Sequence, residues 1–247
     1  MDRPKIIILV SPSVDGRIAL GPNRTLIDEL EDSRQFEEHP WTEIEEKIRM
    51  LHHPKADMLG SYSYIKKDEP LKPLPHYEGD ASRLYKDFFN EQNIKKKNRW
   101  NIIVDGRGRI RTFKKDPNNQ QRLHLVTSQV PADYLYFLQQ NKVPYLIAGK
   151  ERVDLKVAFK KLKEHCGITE LLHTSGGKLA GALLRDGMVD EINLIINPRI
   201  IGGFKTPTLF ESLDLEDDQH PTDLVLITNK TLKNDFIWLQ YRVKHNN

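Results

Sequence analysis

The stretch with the plainest chemical meaning is Thr174-Ser175-Gly176-Gly177, set between a strand-like apolar run and a helix-like one. Glycines in such a turn let the backbone come close to a ligand, and the free N–H groups at a helix start attract phosphate. From the residues alone, a tight turn without a ligand reads equally well. Thr127-Ser128 closes another strand-like run and offers two hydroxyls, which ordinary turn chemistry also explains. Asp15-Gly16 and Gly202-Gly203 have, by themselves, only the composition of turns. The nine histidines show no metal spacing, since His52-His53 are adjacent and precede Pro54, so no metal site is expected. Cys166 is the sole cysteine, lies in a helical pattern and reads as a structural thiol. A single cysteine excludes an intramolecular disulfide and agrees with a reducing, cytoplasmic setting.

The elements that would position these residues follow from pattern. At 247 residues, with 38% hydrophobic and 30% charged side chains, the chain is expected to form one soluble domain spanning 1–247. No run approaches the roughly 20 apolar residues that cross a bilayer, so no membrane partner is expected. The net charge of +3 is spread along the chain, and Lys95-Lys96-Lys97 reads as a solvated turn, so no nucleic acid is expected either. Lys5–Val10 (KIIILV) is a continuous apolar, β-branched run, as in a strand buried on both faces, and Trp100–Val104 (WNIIV) is a strand ending in the turn Asp105-Gly106-Arg107-Gly108. Ala56–Leu59, Leu123–Val126, Val143–Ile147, Thr169–Leu172 and Glu191–Ile196 are further strands. Helices are expected over Glu43–Leu51 with Thr42 as cap, Ser82–Phe89, Ala132–Gln139, Lys178–Leu184, and from a cap at Asp154 through His165. Leu224–Asn229 and Phe236–Val243 close the chain as antiparallel neighbours. Alternating strands and helices give an α/β fold with a central mixed, mainly parallel sheet, an antiparallel C-terminal edge and ligands at the carboxyl ends of strands. Any flavodoxin-like or Rossmann-like domain fits that alternation almost as well.

Four stretches in order narrow the choice: Ser11–Arg17 (SPSVDGR), Gly60–Leu71 (GSYSYIKKDEPL), Asn101–Arg109 (NIIVDGRGR) and Thr174–Phe210, with its glycine turn, Val189-Asp190-Glu191, Pro198 and Gly202-Gly203. Together they resemble the reductase domain of the bifunctional riboflavin-biosynthesis deaminase/reductase and its stand-alone relatives, a branch of the dihydrofolate-reductase-like fold. The resemblance implies a three-layer domain that binds NADPH and reduces the ribosyl group of a phosphorylated pyrimidine to ribityl. It implies that Ser175, Gly176 and Gly177 hold the cofactor pyrophosphate, and that Thr127 and Ser128 meet its adenosine end. Ser13, Asp15 and Gly16 would border the nicotinamide, with Arg17 beside them on the substrate side. Ser63 keeps the hydroxyl of a family threonine near the cofactor. Asp68 matches a family aspartate if one residue is deleted before Leu71, and otherwise Lys67 takes that position. Gly202 and Gly203 would shape a loop over the cofactor. Family members pair through their C-terminal region, and the apolar closing strands imply a homodimer here.

The departures fall on the substrate side. Where the family has a glutamate before its glycine turn, this chain has Thr174, which can hydrogen-bond a substrate but cannot act as a carboxylate acid or base. The arginines expected on the sugar phosphate are not evident, one of their positions holding Leu51 or His52; Lys66, Lys67 and Lys72 could substitute as point charges, although they also read as ordinary surface lysines. The stretch Gly79–Arg99 looks inserted. A reductase of another pterin- or pyrimidine-like substrate, or a non-catalytic nucleotide-binding protein of the same fold, therefore remain as alternatives.

Overall fold

The structure, a computed structural model, describes residues 2–24, 28, 39–89, 99–113 and 120–245. The packing of the chain divides it into two compact units. The first comprises Met1–Pro4 and Pro54–Leu171, the second Lys5–His53 and Leu172–Asn247. In chain order the described residues form β1 (Lys5–Val10), α1 (Trp41–His52), β2 (Ala56–Gly60), β3 (Trp100–Val104), β4 (Gln121–Val126), α2 (Ala132–Gln140), β5 (Tyr145–Ile147), α3 (Leu155–Cys166), β6 (Glu170–His173), α4 (Gly177–Arg185), β7 (Glu191–Ile196), β8 (Leu224–Thr231) and β9 (Ile237–Val243).

In the first unit the strands run in the order β5-β4-β3-β2, every pair parallel. The β3 and β4 side chains Ile102, Ile103, Leu123, Leu125 and Val126 are wholly buried, as continuous apolar runs require when both faces of a sheet are covered. Helix α2 lays Tyr134, Leu135 and Leu138 onto Val126 and Tyr145. Helix α3 starts as its sequence implies. Asp154 is the cap, its carboxylate accepting from Val157 N at 3.0 Å, and Gly167 ends the helix in the left-handed region. The free edge of β5 is covered by Phe88, whose backbone exchanges hydrogen bonds of 2.9 and 3.0 Å with Tyr145. That contact corrects the helix expected over Ser82–Phe89. Only a single 3₁₀ turn, Ala81–Arg83, forms under an Asp80 cap, and the chain then extends to pair with the sheet edge. Most of Lys95–Arg99 lies outside the described residues.

The second unit has the order β1-β7-β9-β8, with β1 parallel to β7 and the last three strands antiparallel. Its core joins Ile7 and Leu9 of β1 to Ile44 and Ile48 of α1, Ile195 of β7 and Phe236. Helix α1 begins one residue before the expected cap: Pro40 takes the cap position, and Thr42 lies inside the first turn. The indole of Trp41 draws that turn in by donating to Glu45 Oε2 at 2.8 Å.

The Val189-Asp190-Glu191 phrase is what fastens these strands. The Asp190 carboxylate accepts from Ile6 N at 2.7 Å. Glu191 Oε1, nearly buried, accepts from His52 Nε2 at 3.0 Å, Asn193 Nδ2 at 3.0 Å and Gln240 Nε2 at 2.8 Å. Lys5 Nζ lies 3.5 Å from Glu191 Oε2 and 3.1 Å from His52 Nδ1, so the imidazole donates through Nε2 and accepts through Nδ1. Burial alone would raise the Glu191 carboxyl, but the bonds from Asn193 and Gln240, with His52 and Lys5 beside it, hold it below the usual value.

Candidate functional site

In the second unit, three segments that are far apart in sequence meet. The loop after β1 folds on Ser13, whose hydroxyl donates to Asp15 Oδ1 at 2.6 Å and accepts from Arg17 N at 2.9 Å. Asp15 then reaches across to residues 201–202, accepting from Ile201 N at 3.1 Å and Gly202 N at 2.7 Å. With the Ser13 bond as the largest cause and these two amides adding to it, the Asp15 carboxyl is lowered to about 2. The Arg17 guanidinium donates to Thr206 O at 2.8 Å and stands 3.7 Å from Asp15. It ties the two loops together. Backbone bonds from Ile18 N to Pro207 O and from Leu209 N to Gly16 O complete the junction.

The glycine turn joins the same cluster, and its two glycines do different work. A methyl group on Gly177 would lie 1.9 Å from Thr208 O, and Gly177 O accepts from Glu211 N at 2.9 Å. Gly177 therefore serves the close approach of the 208–211 segment to α4. Gly176, the cap residue of α4, has φ +54°, nothing within 4 Å of where a Cβ would stand, and no side chain of its own to make a cap bond. At the start of α4, Gly176 is exposed while Gly177 is buried. Ser175 is buried, while Thr174 is half-buried and its hydroxyl bonds to no described residue. Gly202 and Gly203 both have positive φ and form the loop that Asp15 holds, with Ile200 and Phe204 exposed beside them.

The first unit gathers the remaining expected residues at the carboxyl ends of its strands. Ser63 is buried in the 3₁₀ turn Ser61–Ser63 that follows β2, and Lys67, Asp68 and Lys72 are exposed on the segment beyond it. Thr127 is buried and its hydroxyl donates to Gly106 O at 2.7 Å, which makes it a turn-holder, whereas Ser128 is exposed.

The sequence pattern gives the side chains of Asn101–Arg109 no individual role. The structure shows three arginines at alternate positions gripping the 62–72 segment. Arg107 Nη2 donates to Tyr62 OH at 2.5 Å. Arg109 lies over the Tyr62 ring, 5.0 Å from its centroid, and donates to the carbonyls of Lys66 and Lys67, both at 2.7 Å. Arg111 donates to Lys72 O at 2.6 Å. The available signal was the run Arg107-Gly108-Arg109-Ile110-Arg111, three arginines directly after a strand-ending turn.

Asp105 holds this turn from beneath. It accepts from Arg109 N at 3.0 Å, Ile110 N at 2.9 Å and Tyr134 OH at 2.8 Å. Tyr134 OH in turn accepts from His124 Nδ1 at 3.0 Å. His124 is wholly buried, and its Nε2 has no hydrogen-bond partner. Burial, with Arg122 nearby, lowers its pKa to about 3, so the ring is neutral. Burial, with the Asp105 charge next, raises the Tyr134 hydroxyl well above its usual value. Cys166, at the end of α3, is pushed up to about 12 by burial, which leaves it an inert thiol. No helix among the described residues is long and apolar enough to cross a membrane.

Comparison with known proteins agrees with this architecture. Over 243 residues the chain is 25% identical to the 2,5-diamino-6-ribosylamino-4(3H)-pyrimidinone 5′-phosphate reductase of Methanothermobacter thermautotrophicus, covering 98% of this chain and 99% of that one. Over 210 residues it is 23% identical to the enzyme of the same name from Archaeoglobus fulgidus, covering 84% and 86%. Among solved structures, a pyrimidine reductase-like protein from Corynebacterium diphtheriae superposes with a TM-score of 0.66 at 18% identity, over 98% of this chain and 93% of that one. That likeness shows a shared fold: α/β, with mixed, mainly parallel strands and an antiparallel C-terminal edge. The RibD C-terminal domain description matches residues 4–237, and the chain belongs to that family.

Proposed function

We propose that the chain is an oxidoreductase that reduces the ribosyl group of 2,5-diamino-6-ribosylamino-4(3H)-pyrimidinone 5′-phosphate to ribityl, with NADPH as donor. The observation that carries this reading is the start of α4, where the exposed Gly176 is the cap residue, makes no side-chain cap bond and has open space where a Cβ would stand. A phosphate fits such a terminus, because its oxygens accept from backbone N–H groups and complement the positive end of the helix dipole. The family relatives, named for this reduction, supply the substrate class.

When bound, the cofactor supplies a hydride for the first carbon of the ring-opened sugar. The chain's own residues bind and orient. Ser175, Gly176 and Gly177 take the pyrophosphate, with Gly177 also carrying the 208–211 packing. Ser13, Asp15, Gly16, Gly202 and Gly203 fix the loop pair that borders the nicotinamide, Ile200 and Phe204 giving it apolar cover. In the first unit, Thr127 and Ser128 serve the adenosine end, and Ser63 and Asp68 serve the cofactor. Lys67 and Lys72, exposed and flexible, draw in the substrate phosphate as point charges. Thr174 hydrogen-bonds the substrate through a hydroxyl that bonds to no described residue. It moves no proton of its own near neutral pH. Two copies pair through the C-terminal strands, and the enzyme works in the cytoplasm.

The test is NADPH oxidation, followed by its absorbance, with that pyrimidine phosphate as substrate. Steady oxidation with a ribityl product supports the reading. NADPH binding without turnover assigns the chain instead to the non-catalytic nucleotide binders, with the threonine at position 174 as the reason.

A further inference from the structure

A 2′-phosphorylated dinucleotide needs a cation at its adenosine ribose, and basic residues at several places could supply one by sequence. The structure separates them. Arg122 stands near the start of β4, over the Phe113 ring at 5.0 Å, at the opposite end of the strand from Thr127. Arg109 and Arg111 are committed to the carbonyls of the 66–72 segment. The turns at the carboxyl ends of β3, β4 and β5, by contrast, converge on Gly106. A Cβ there would lie 3.1 Å from Val153 and 3.2 Å from Thr127, and Ser128 N donates to Gly149 O at 3.0 Å. Residues 105–108, 127–128 and 148–153 thus form one surface at the strand ends.

The cations on that surface are Arg107, Lys150 and Arg152, all exposed and none ion-paired among the described residues. Its carboxylates are largely engaged elsewhere. Asp105 is buried under the turn and Asp154 caps α3, which leaves Glu151 as the exposed acid. Arg107 differs from the two others in being held. Its guanidinium donates to Tyr62 OH and lies 5.7 Å from the Tyr62 ring centroid. A guanidinium fixed through one nitrogen keeps its remaining N–H groups for a phosphate, and its planar fork suits two phosphate oxygens at once.

We infer that Arg107, oriented by Tyr62, binds the 2′-phosphate of the cofactor's adenosine ribose and sets the preference for NADPH over NADH. This inference rests on the reductase reading above. The exposed Ser128 hydroxyl, next to the Thr127 bond to Gly106, is the neutral donor on the same surface.

Calorimetric titration of the full chain with 2′,5′-ADP and with 5′-ADP, and Trp-fluorescence titration with NADPH and NADH, test it. The wild type is expected to bind 2′,5′-ADP and NADPH more tightly than their counterparts without the 2′-phosphate. Arg107→Gln is expected to weaken those two by about tenfold or more, as loss of charge-assisted hydrogen bonds implies, and to leave 5′-ADP and NADH within about twofold. Arg107→Lys, which keeps the charge and loses the fork, should fall between. An equal loss for all four ligands, no loss, or a wild type indifferent to the 2′-phosphate overturns the inference and leaves the reductase reading standing. Failure of the wild type to bind any of the four overturns both.

Discussion

At the scale of single residues, adjacent glycines separate a packing role from a binding role. Gly177→Ala drives a methyl group onto the Thr208 carbonyl, a backbone atom that cannot step aside. It should cost about 1–3 kcal/mol, as overpacking does, and lower the melting temperature by several degrees. Gly176→Ala puts its methyl into open space, at about 1–2 kcal/mol for a left-handed backbone angle. It should weaken NADPH by about tenfold, because the methyl stands where the phosphate approaches. Comparable loss of binding in both variants with equal melting curves would contradict this division. His124 gives a pH signature. Its folded pKa is lowered to about 3 from an ordinary 6.5, so the unfolded chain takes up a proton that the folded chain refuses. Stability attributable to this ring is therefore intact above pH 6.5 and falls as pH drops from there toward 3, by about 1.4 kcal/mol per pH unit in the steep part. His124→Phe should flatten that slope between pH 6 and 4.5 in urea denaturation, and an unchanged slope would remove His124 as its source. From sequence, His124 is one histidine among nine; its partner Tyr134 and Tyr134's acceptor Asp105 lie 10 and 19 positions from it, and nothing in local pattern joins them.

At the scale of elements, the strands and the helix at Asp154 were legible because their signals are local. Short runs rich in isoleucine and valine placed β1, β3 and β7 to the residue, and Asp154 followed by an apolar face placed α3. Where a longer-range contact competes, the local signal failed. Ser82–Phe89 has helical spacing, but its Phe88 pairs with the β5 edge. Thr42 has the side chain of a cap, but the Trp41 indole bonded to Glu45 starts the helix earlier. The candidate site divides in the same way. The Ser13–Gly16 turn and the glycine turn could be read directly, whereas Arg17's attachment to Thr206, 189 positions on, could not. The Glu191 network, which joins α1, β1, β7 and β9, supplies a prediction at this scale. Its depressed carboxyl contributes stability that is present above the ordinary carboxylate pKa and lost as pH falls through the lower folded value. Glu191→Ala leaves Asn193, Gln240 and His52 without their shared acceptor and should cost about 3–5 kcal/mol, as breaking a buried charged network does. A loss under about 1 kcal/mol at neutral pH would show that the network is not what fastens the C-terminal strands.

At the scale of the whole molecule, the C-terminal strands leave apolar side chains at the surface: Leu224, Leu226 and Ile227 of β8 and Ile237 of β9 are each 40–51% exposed. An exposed apolar edge strand invites pairing, and a homodimer is the simplest closed arrangement. Sedimentation should give twice the 28.7 kDa chain mass at micromolar concentration, and Leu226→Asp with Ile227→Asp should return the monomer. A monomeric wild type would contradict the pairing. The central claim is the reduction itself, and it is tested most directly by following the hydride. The chain is incubated with NADPH deuterated at the transferring position of the nicotinamide and with 2,5-diamino-6-ribosylamino-4(3H)-pyrimidinone 5′-phosphate, and the pyrimidine product is weighed by mass spectrometry. One deuterium on the first carbon of a ribityl chain is the expected result. An unlabelled, unreduced pyrimidine after long incubation with a chain that binds NADPH would contradict it.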